Sequence, residues 1–179
     1  MTPIRMKNAV IAEAISTVAA AVYGLTVLME SGRSRHDVAV VGGVLLFLIN
    51  VPAIILVLKL HYRCWSAVPP GRARTTPGKA VGLLFIPFFN FYWFFESFAG
   101  LAEDLAGTRE HAPGKGLGIA LGILSITSMF PGFADVVLAP VLSAPLDIVL
   151  FIVWLLYALE VTAQANRRIA EADRVTAKE

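Results

Sequence analysis

A chain of 179 residues has room for one domain, and this one is 57% hydrophobic but only 16% charged. A water-soluble domain carries about 25% charged residues because its surface faces water, so the deficit points to a surface that meets lipid. The formal net charge of +2 is too small to recommend a nucleic acid as partner, and the bases gather beside apolar runs, as they do at membrane flanks.

Five segments are apolar enough to enter a bilayer. The first, residues 9–29, follows Arg5 and Lys7 and has the look of a signal peptide. Its length matches the roughly 20 residues of a full span, and Glu13 is foreign to a short cleaved segment. A retained span is therefore expected. Within it Ala12, Ser16, Ala20 and Gly24 recur every four residues, a small-residue face suited to close helix contact. The second segment, residues 38–60, carries Asn50 about 13 Å from Lys59 along the axis, near the midplane. Asn50 is expected to make an interhelical hydrogen bond, and Pro52 to kink the helix.

Next comes a basic stretch, Lys59, Arg63, Arg72, Arg74 and Lys79, with no acidic residue among them. Thr76 is placed to cap a helix whose first residue is Pro77. Its backbone N–H groups, with Arg72, Arg74 and Lys79, form an expected lipid headgroup site, each base worth about 1 kcal/mol toward anionic lipid. Ordinary cytoplasmic anchoring is the plainer reading of the same charges. The third apolar segment is broken by Ile86-Pro87-Phe88-Phe89-Asn90. Proline lacks the backbone donor and disfavours helix before it, and Asn90 is expected to cap a second helix from Phe91. The first half reaches only about 13 Å, under half the hydrocarbon thickness. Pro87 and Asn90 thus mark the turn of a hairpin over residues 78–105, surrounded by aromatic residues.

The fourth segment, residues 117–134, continues a second small-residue stripe, Gly114, Gly118 and Gly122. One of the two stripes is expected to pack within the chain and the other between copies. The stretch 131–147 holds Asp135 and Asp147 without a base and suits the outside. The fifth segment, residues 146–163, ends near Glu160, which is expected to lie level with Glu13 and Lys59. A tail, residues 164–179, carries Arg167, Arg168, Arg174 and Lys178.

Two basic ends and a basic central loop all belong in the cytoplasm by the positive-inside rule. Five crossings would separate the ends, whereas a third segment that dips and returns keeps them together. The expectation is one all-α integral membrane helical bundle over residues 1–179. It has four transmembrane helices, 9–29, 38–60, 117–134 and 146–163, plus a re-entrant or interfacial helical hairpin, with five spans as the alternative. The expected location is the bacterial cytoplasmic membrane, multi-pass, with both termini and the 164–179 tail inside.

The block Thr76-Pro77-Gly78-Lys79-Ala80-Val81-Gly82, then Phe85-Ile86-Pro87, Asn90 and Tyr92-Trp93, resembles an uncharacterised group of bacterial membrane proteins known only as a domain of unknown function. Members share a Pro-Gly-x-Ala-Val-Gly stretch, an Ile/Val-Pro pair, then Asn and an aromatic residue, after a basic stretch that here is residues 59–74. The resemblance covers residues 59–104. It departs at Lys79 and at Tyr92-Trp93-Phe94, where many relatives have an aromatic residue and a Trp/Arg-Pro pair. It implies a bacterial source and a similar layout, and no activity.

Catalytic patterns are poorly supported. Cys64 is the single cysteine, so no disulfide forms within the chain. His61-x-x-Cys64 is half a metal site, and no Ser, His and acid stand in a catalytic order. The sequence reading is a non-catalytic scaffold or accessory subunit without metal or cofactor, in contact with anionic lipid and assembling with itself or a larger membrane complex. The alternative is an oligomeric small channel or transporter whose path is lined by the Pro87–Asn90 hairpin, with Glu13, Asn50 and Glu160 as its intramembrane polar groups.

Overall fold

The computed structural model describes residues 2–29, 32–128 and 143–178, and among these every regular element is helical. In chain order they are α1 (Lys7–Met29), α2 (Gly32–Ser66), α3 (Pro77–Gly82), a 3-10 turn (Leu83–Phe85), α4 (Phe89–Ala106), α5 (Lys115–Ser128) and α6 (Ser143–Thr176). Three stretches are long and apolar enough to cross a membrane: Lys7–Thr26, Val40–Ser66 and Leu146–Thr176. α5 is a shorter apolar helix of 14 residues, about 21 Å long. The expected end of that segment, residues 129–134, and Asp135 lie outside the described residues.

α1 and α2 turn apolar side chains outward along their length. Val18, Val22 and Leu25 on one, and Val44, Phe47 and Leu48 on the other, are all more than half exposed. In water such a surface would forfeit about 25 cal/mol for every Å² left unburied; against hydrocarbon that loss vanishes. Ser16 bonds Asn50 and Tyr23 lies against Gly42, so the two helices run antiparallel.

One end of the bundle, here called the base, gathers distant parts of the chain. Ile4 N–H donates to Asn166 Oδ1 (2.7 Å), and Asn166 Nδ2 donates back to the Ile4 carbonyl (3.2 Å). Arg63, near the end of α2, donates to the Thr2 carbonyl at 3.1 Å. Arg168 of α6 donates to the carbonyls of Leu105 (2.9 Å) and Ala106 (3.2 Å), at the end of α4. The chain start, the close of α2, the close of α4 and the last third of α6 therefore share one level.

Residues 164–176 do not form a separate tail, because α6 continues through them. Ala158, Val161, Ala165 and Ile169 recur at spacings of three and four, which places them on one helical face. That face is buried in the core with Trp65, Leu101 and Leu105.

The break at Pro87 reverses the chain. α3 opens on Thr76, whose hydroxyl accepts from Lys79 N–H at 3.4 Å, with Pro77 in the first turn, as the sequence suggested. α4 begins at Phe89, two residues earlier than expected, and Asn90 is not its cap. Phe88 takes that position with φ 63° and no capping hydrogen bond. For a bulky residue this positive-φ geometry costs about 1–3 kcal/mol. Asn90 N–H instead donates to Ile86 O at 3.0 Å, which draws the residue into the first turn of α4. At the tip, Phe88 is 85% exposed and Phe85 67%.

Candidate functional site

Two sets of contacts hold the hairpin and thereby shape a cavity above the base. The first is a buried network at the meeting of α2, α3 and α4. Ala80 O lies in the last turn of α3, where a short helix leaves carbonyls without partners. It accepts from Ser97 Oγ at 3.0 Å and from Trp93 Nε1 at 3.1 Å. Ser97 Oγ also meets His61 Nε2 at 2.8 Å, and Trp65 Nε1 lies 3.1 Å from that nitrogen and 3.2 Å from Ser97 O. Once Ser97 donates to Ala80, the arrangement that uses every donor has His61 Nε2–H donating to Ser97 Oγ and Trp65 Nε1–H donating to Ser97 O. The His61 ring stacks on Phe98, which stacks on Phe94, each pair at 4.3 Å. Tyr157 of α6 donates to the Phe98 carbonyl at 2.8 Å. Both His61 and Cys64 are thus core residues; Cys64 is 0% exposed, its sulfur 4.0 Å from Thr162 Oγ1.

The second set closes the foot of the hairpin. Arg74, in the loop before α3, donates from its backbone N–H to Asp104 Oδ2 (2.8 Å) and from Nε to Asp104 Oδ1 (3.0 Å). Its guanidinium also reaches Glu96 at 3.2 Å, and Glu103. Glu103 takes Lys115 of α5 as well, at 2.7 Å. Burial works against the Arg74 charge, but hydrogen bonds to Asp104 and Glu103 outweigh it and hold its proton more tightly than usual. Burial likewise opposes ionisation of Glu103, yet hydrogen bonds from Lys115 and Arg74 hold its carboxyl below the ordinary range.

This geometry revises the headgroup site expected at Arg72, Arg74, Thr76 and Lys79. Arg74 faces three carboxylates, and the Arg72 guanidinium lies over Gly107, where an added Cβ would come within 2.7 Å of it. The Thr76 hydroxyl already occupies the Lys79 N–H. Lys79 is exposed. Charges that lie together in sequence point to different neighbours because the acids that claim Arg74 sit about 30 residues later on α4. The spacing of Glu96 and Glu103, seven apart and hence on one helical face, was the signal available.

The two small-residue stripes differ. Gly118 lies where a Cβ would meet Ala99 N at 2.8 Å, and Gly122 lies against the Phe95 ring. Gly114, with φ +85°, packs on Glu160 and Ala102. This stripe therefore joins α5 to α4 and α6 within the chain. On α1, Ser16 and Ala20 face inward to the cavity, while a Cβ at Gly24 would meet nothing within 4 Å. Glu160 accepts from Gln164 Nε2 at 2.9 Å.

The cavity has a volume of about 600 Å³ and is bounded by α1, α2, the 3-10 turn, α4, α5 and α6. It collects polar residues that the sequence scatters over 134 positions: Glu13, Ser16 and Thr17 from α1, Asn50 from α2, Asn90 from the hairpin, Ser125 from α5 and Asp147 from α6. Asn50 does make the expected interhelical bond, accepting from Ser16 Oγ at 2.8 Å while donating to Leu46 O at 2.9 Å. Glu13 and Asp147 have no ion-pair partner among the described residues. Asp147, expected outside, lines the end of this cavity away from the base, on the face of α6 that also carries Leu150, Phe151 and Trp154. Asn90 Oδ1 is shielded from solvent and has no donor. The remaining walls are apolar, with Phe85, Phe94, Phe98, Phe151 and Trp154 prominent.

Compared with protein-family models, curated proteins and solved structures, the chain matches none of them. What the site can do rests on its own geometry.

Proposed function

We propose that the chain is a non-catalytic membrane protein of the transporter kind, which holds a small molecule in a cavity inside the bilayer. In this reading four helices, α1, α2, α5 and α6, cross the membrane around a hairpin that enters and leaves on the cytoplasmic side. The observation that carries it is the cavity itself: a polar-dotted space of about 600 Å³ inside a shell of outward-facing apolar helices. Ligand sites are concave, mostly apolar and set with a few polar groups, typically about 300–1,000 Å³ in volume.

Two further observations support the layout. Arg74 ahead of the hairpin is bonded to Asp104 at its end, so the chain leaves at the level at which it entered. The exposed Phe85 and Phe88 at the tip are at home in hydrocarbon and costly in water. The bases of the chain start, of the loop before α3 and of the α6 end gather at the base, which suits the cytoplasmic face of a bacterial inner membrane.

Filling the cavity tests the proposal. The chain is purified from its native membranes and weighed intact with whatever small molecules it retains. Ala20→Phe, which projects a ring into the cavity, is expected to lose a retained species that Gly24→Ala keeps. Equal retention by both variants, or a bare chain in every case, would sink the binding reading.

A scaffold or accessory-subunit role is favoured by a separate feature. An almost wholly apolar groove of about 920 Å³ runs between α1 and α2, a shape that accepts a helix from a second subunit. Under this reading the chain purifies at a mass larger than one copy, and Val22→Trp, which fills that groove from an exposed position, returns it to the monomer.

A further inference from the structure

We infer that the cavity selects an amphipathic organic cation, an inference that rests on the binding reading above and gives the ligand its charge. The donors and acceptors on the walls decide that charge. Ser16 spends its hydroxyl proton on Asn50 Oδ1, and Asn50 spends an amide proton on Leu46 O. Thr17 spends its own on Glu13 O. Glu13 and Asp147 offer only acceptors when ionised, and Asn90 Oδ1 is a shielded acceptor without a donor. No Lys, Arg or His lines the cavity. The donors that remain, such as the Ser125 hydroxyl and the Asn90 amide, are neutral, so the only charge the walls offer a ligand is negative.

A carboxylate in apolar surroundings is costly unless a positive group accompanies it. With no base supplied by the protein, the ligand is the source of that group. The aromatic walls agree with this. Phe94, which has one face on Phe98 and the other free of that stack, lines the cavity with Phe151 and Trp154; such rings attract a cation through their quadrupoles and cover an apolar body as well.

The two acids lie at different heights. Asp147 is 19 residues before Asn166, which marks the base, so it stands about 28 Å above it along α6. Glu13 is six residues into α1, about 9 Å along that helix. The cavity thus offers a cation one station toward each end, with Asn90 and the rings between. For an anion the walls carry no positive side chain.

The test compares two ions of matched shape and opposite charge, tetraphenylphosphonium and tetraphenylborate. Binding to the full chain in zwitterionic nanodiscs is measured by equilibrium dialysis, with empty nanodiscs subtracted. The phosphonium is expected to bind saturably and the borate to show no protein-dependent binding. Glu13→Gln and Asp147→Asn are each expected to weaken phosphonium binding by about tenfold or more. Glu13→Asp and Asp147→Glu, which keep the charge, are expected to retain most of it. Because each carboxamide removes an unpaired charge from an apolar site, both are expected to melt no lower than the parent, which separates lost binding from lost fold.

Equal binding of the two ions, or phosphonium binding indifferent to both carboxamide variants, would overturn the cation inference while leaving the cavity a binding site. If neither ion binds but the chain still retains a small molecule sensitive to Ala20→Phe, the inference falls and the binding reading stands. If neither ion binds and nothing is retained, both fall.

Discussion

Ser97 shows how much one hydroxyl can hold. It is fully buried on α4 and links His61 of α2 to the Ala80 carbonyl of α3. Ser97→Ala leaves His61 without its partner and Ala80 O with Trp93 alone. Orphaning buried polar groups costs about 1–3 kcal/mol, so a lower unfolding temperature is expected in detergent by circular dichroism. An unchanged melting point would mean that the network is incidental. The sequence reading weighed His61 only as half of a metal site, since Ser97 lies 36 residues away and no local spacing announces it. Asn50 was legible, because a lone amide in an apolar helix has few options besides another helix. The cap expected from Asn90 was not formed, since a φ of 63° at Phe88 is chosen by the tertiary turn and is nearly forbidden to such a residue in isolation.

At the scale of elements, the hairpin and α5 behave as one block. Gly118 touches the backbone of α4, which cannot yield as a side-chain tip would. Gly118→Ala is expected to cost about 1–3 kcal/mol by overpacking. Gly116→Ala, whose Cβ would meet nothing within 4 Å, is expected to be neutral or to gain up to about 1 kcal/mol from helix propensity. Parallel thermal melts decide between the two. The foot of the hairpin adds a dependence on pH. Glu103 is held below its ordinary value of 4.5 in the fold, so the unfolded chain takes up its proton first as the pH falls. The stabilisation is complete above the unfolded value and is lost as the pH drops through the lowered folded one. Melting temperature is therefore expected to stay level from neutral to mildly acidic pH and to fall below about pH 4. Arg74→Gln should lower the plateau by roughly 1–3 kcal/mol, between the values of exposed and buried pairs, and flatten the acid limb. Helix content and the break at Pro87 could be read from composition and one proline. That Arg74 belongs to α4 was only half legible: the spacing of Glu96 and Glu103 marks an acidic helical face, but not the base that meets it from 22 to 30 residues earlier.

For the molecule as a whole, the question is on which side of the membrane each part of the base lies. The unique Cys64 would serve as a natural label in sequence terms, but complete burial removes it from use. With Cys64→Ala as background, single cysteines at Asn8, Ala73 and Ala177 occupy exposed positions at the base. All three are expected to react with an impermeant maleimide only after cells are opened. Reaction of one terminal site in intact cells, with the other protected, would exclude the four-crossing layout. The three long apolar helices were legible from hydropathy alone. The cavity was not, since its seven polar residues come from five helices, and only packing brings Glu13 and Asp147 to one space.

The clamp of Asn166 on Ile4 spans 162 positions, which has a consequence for how the chain is made. Synthesis runs from the N-terminal side, so Ile4 emerges long before its partner. Until α6 has left the ribosome, the residues ahead of α1 have nothing to dock on at this point. Closure of the base thus waits for α6, and a polypeptide interrupted before residue 166 would carry an undocked segment ahead of α1, a mark by which a protease could distinguish interrupted copies.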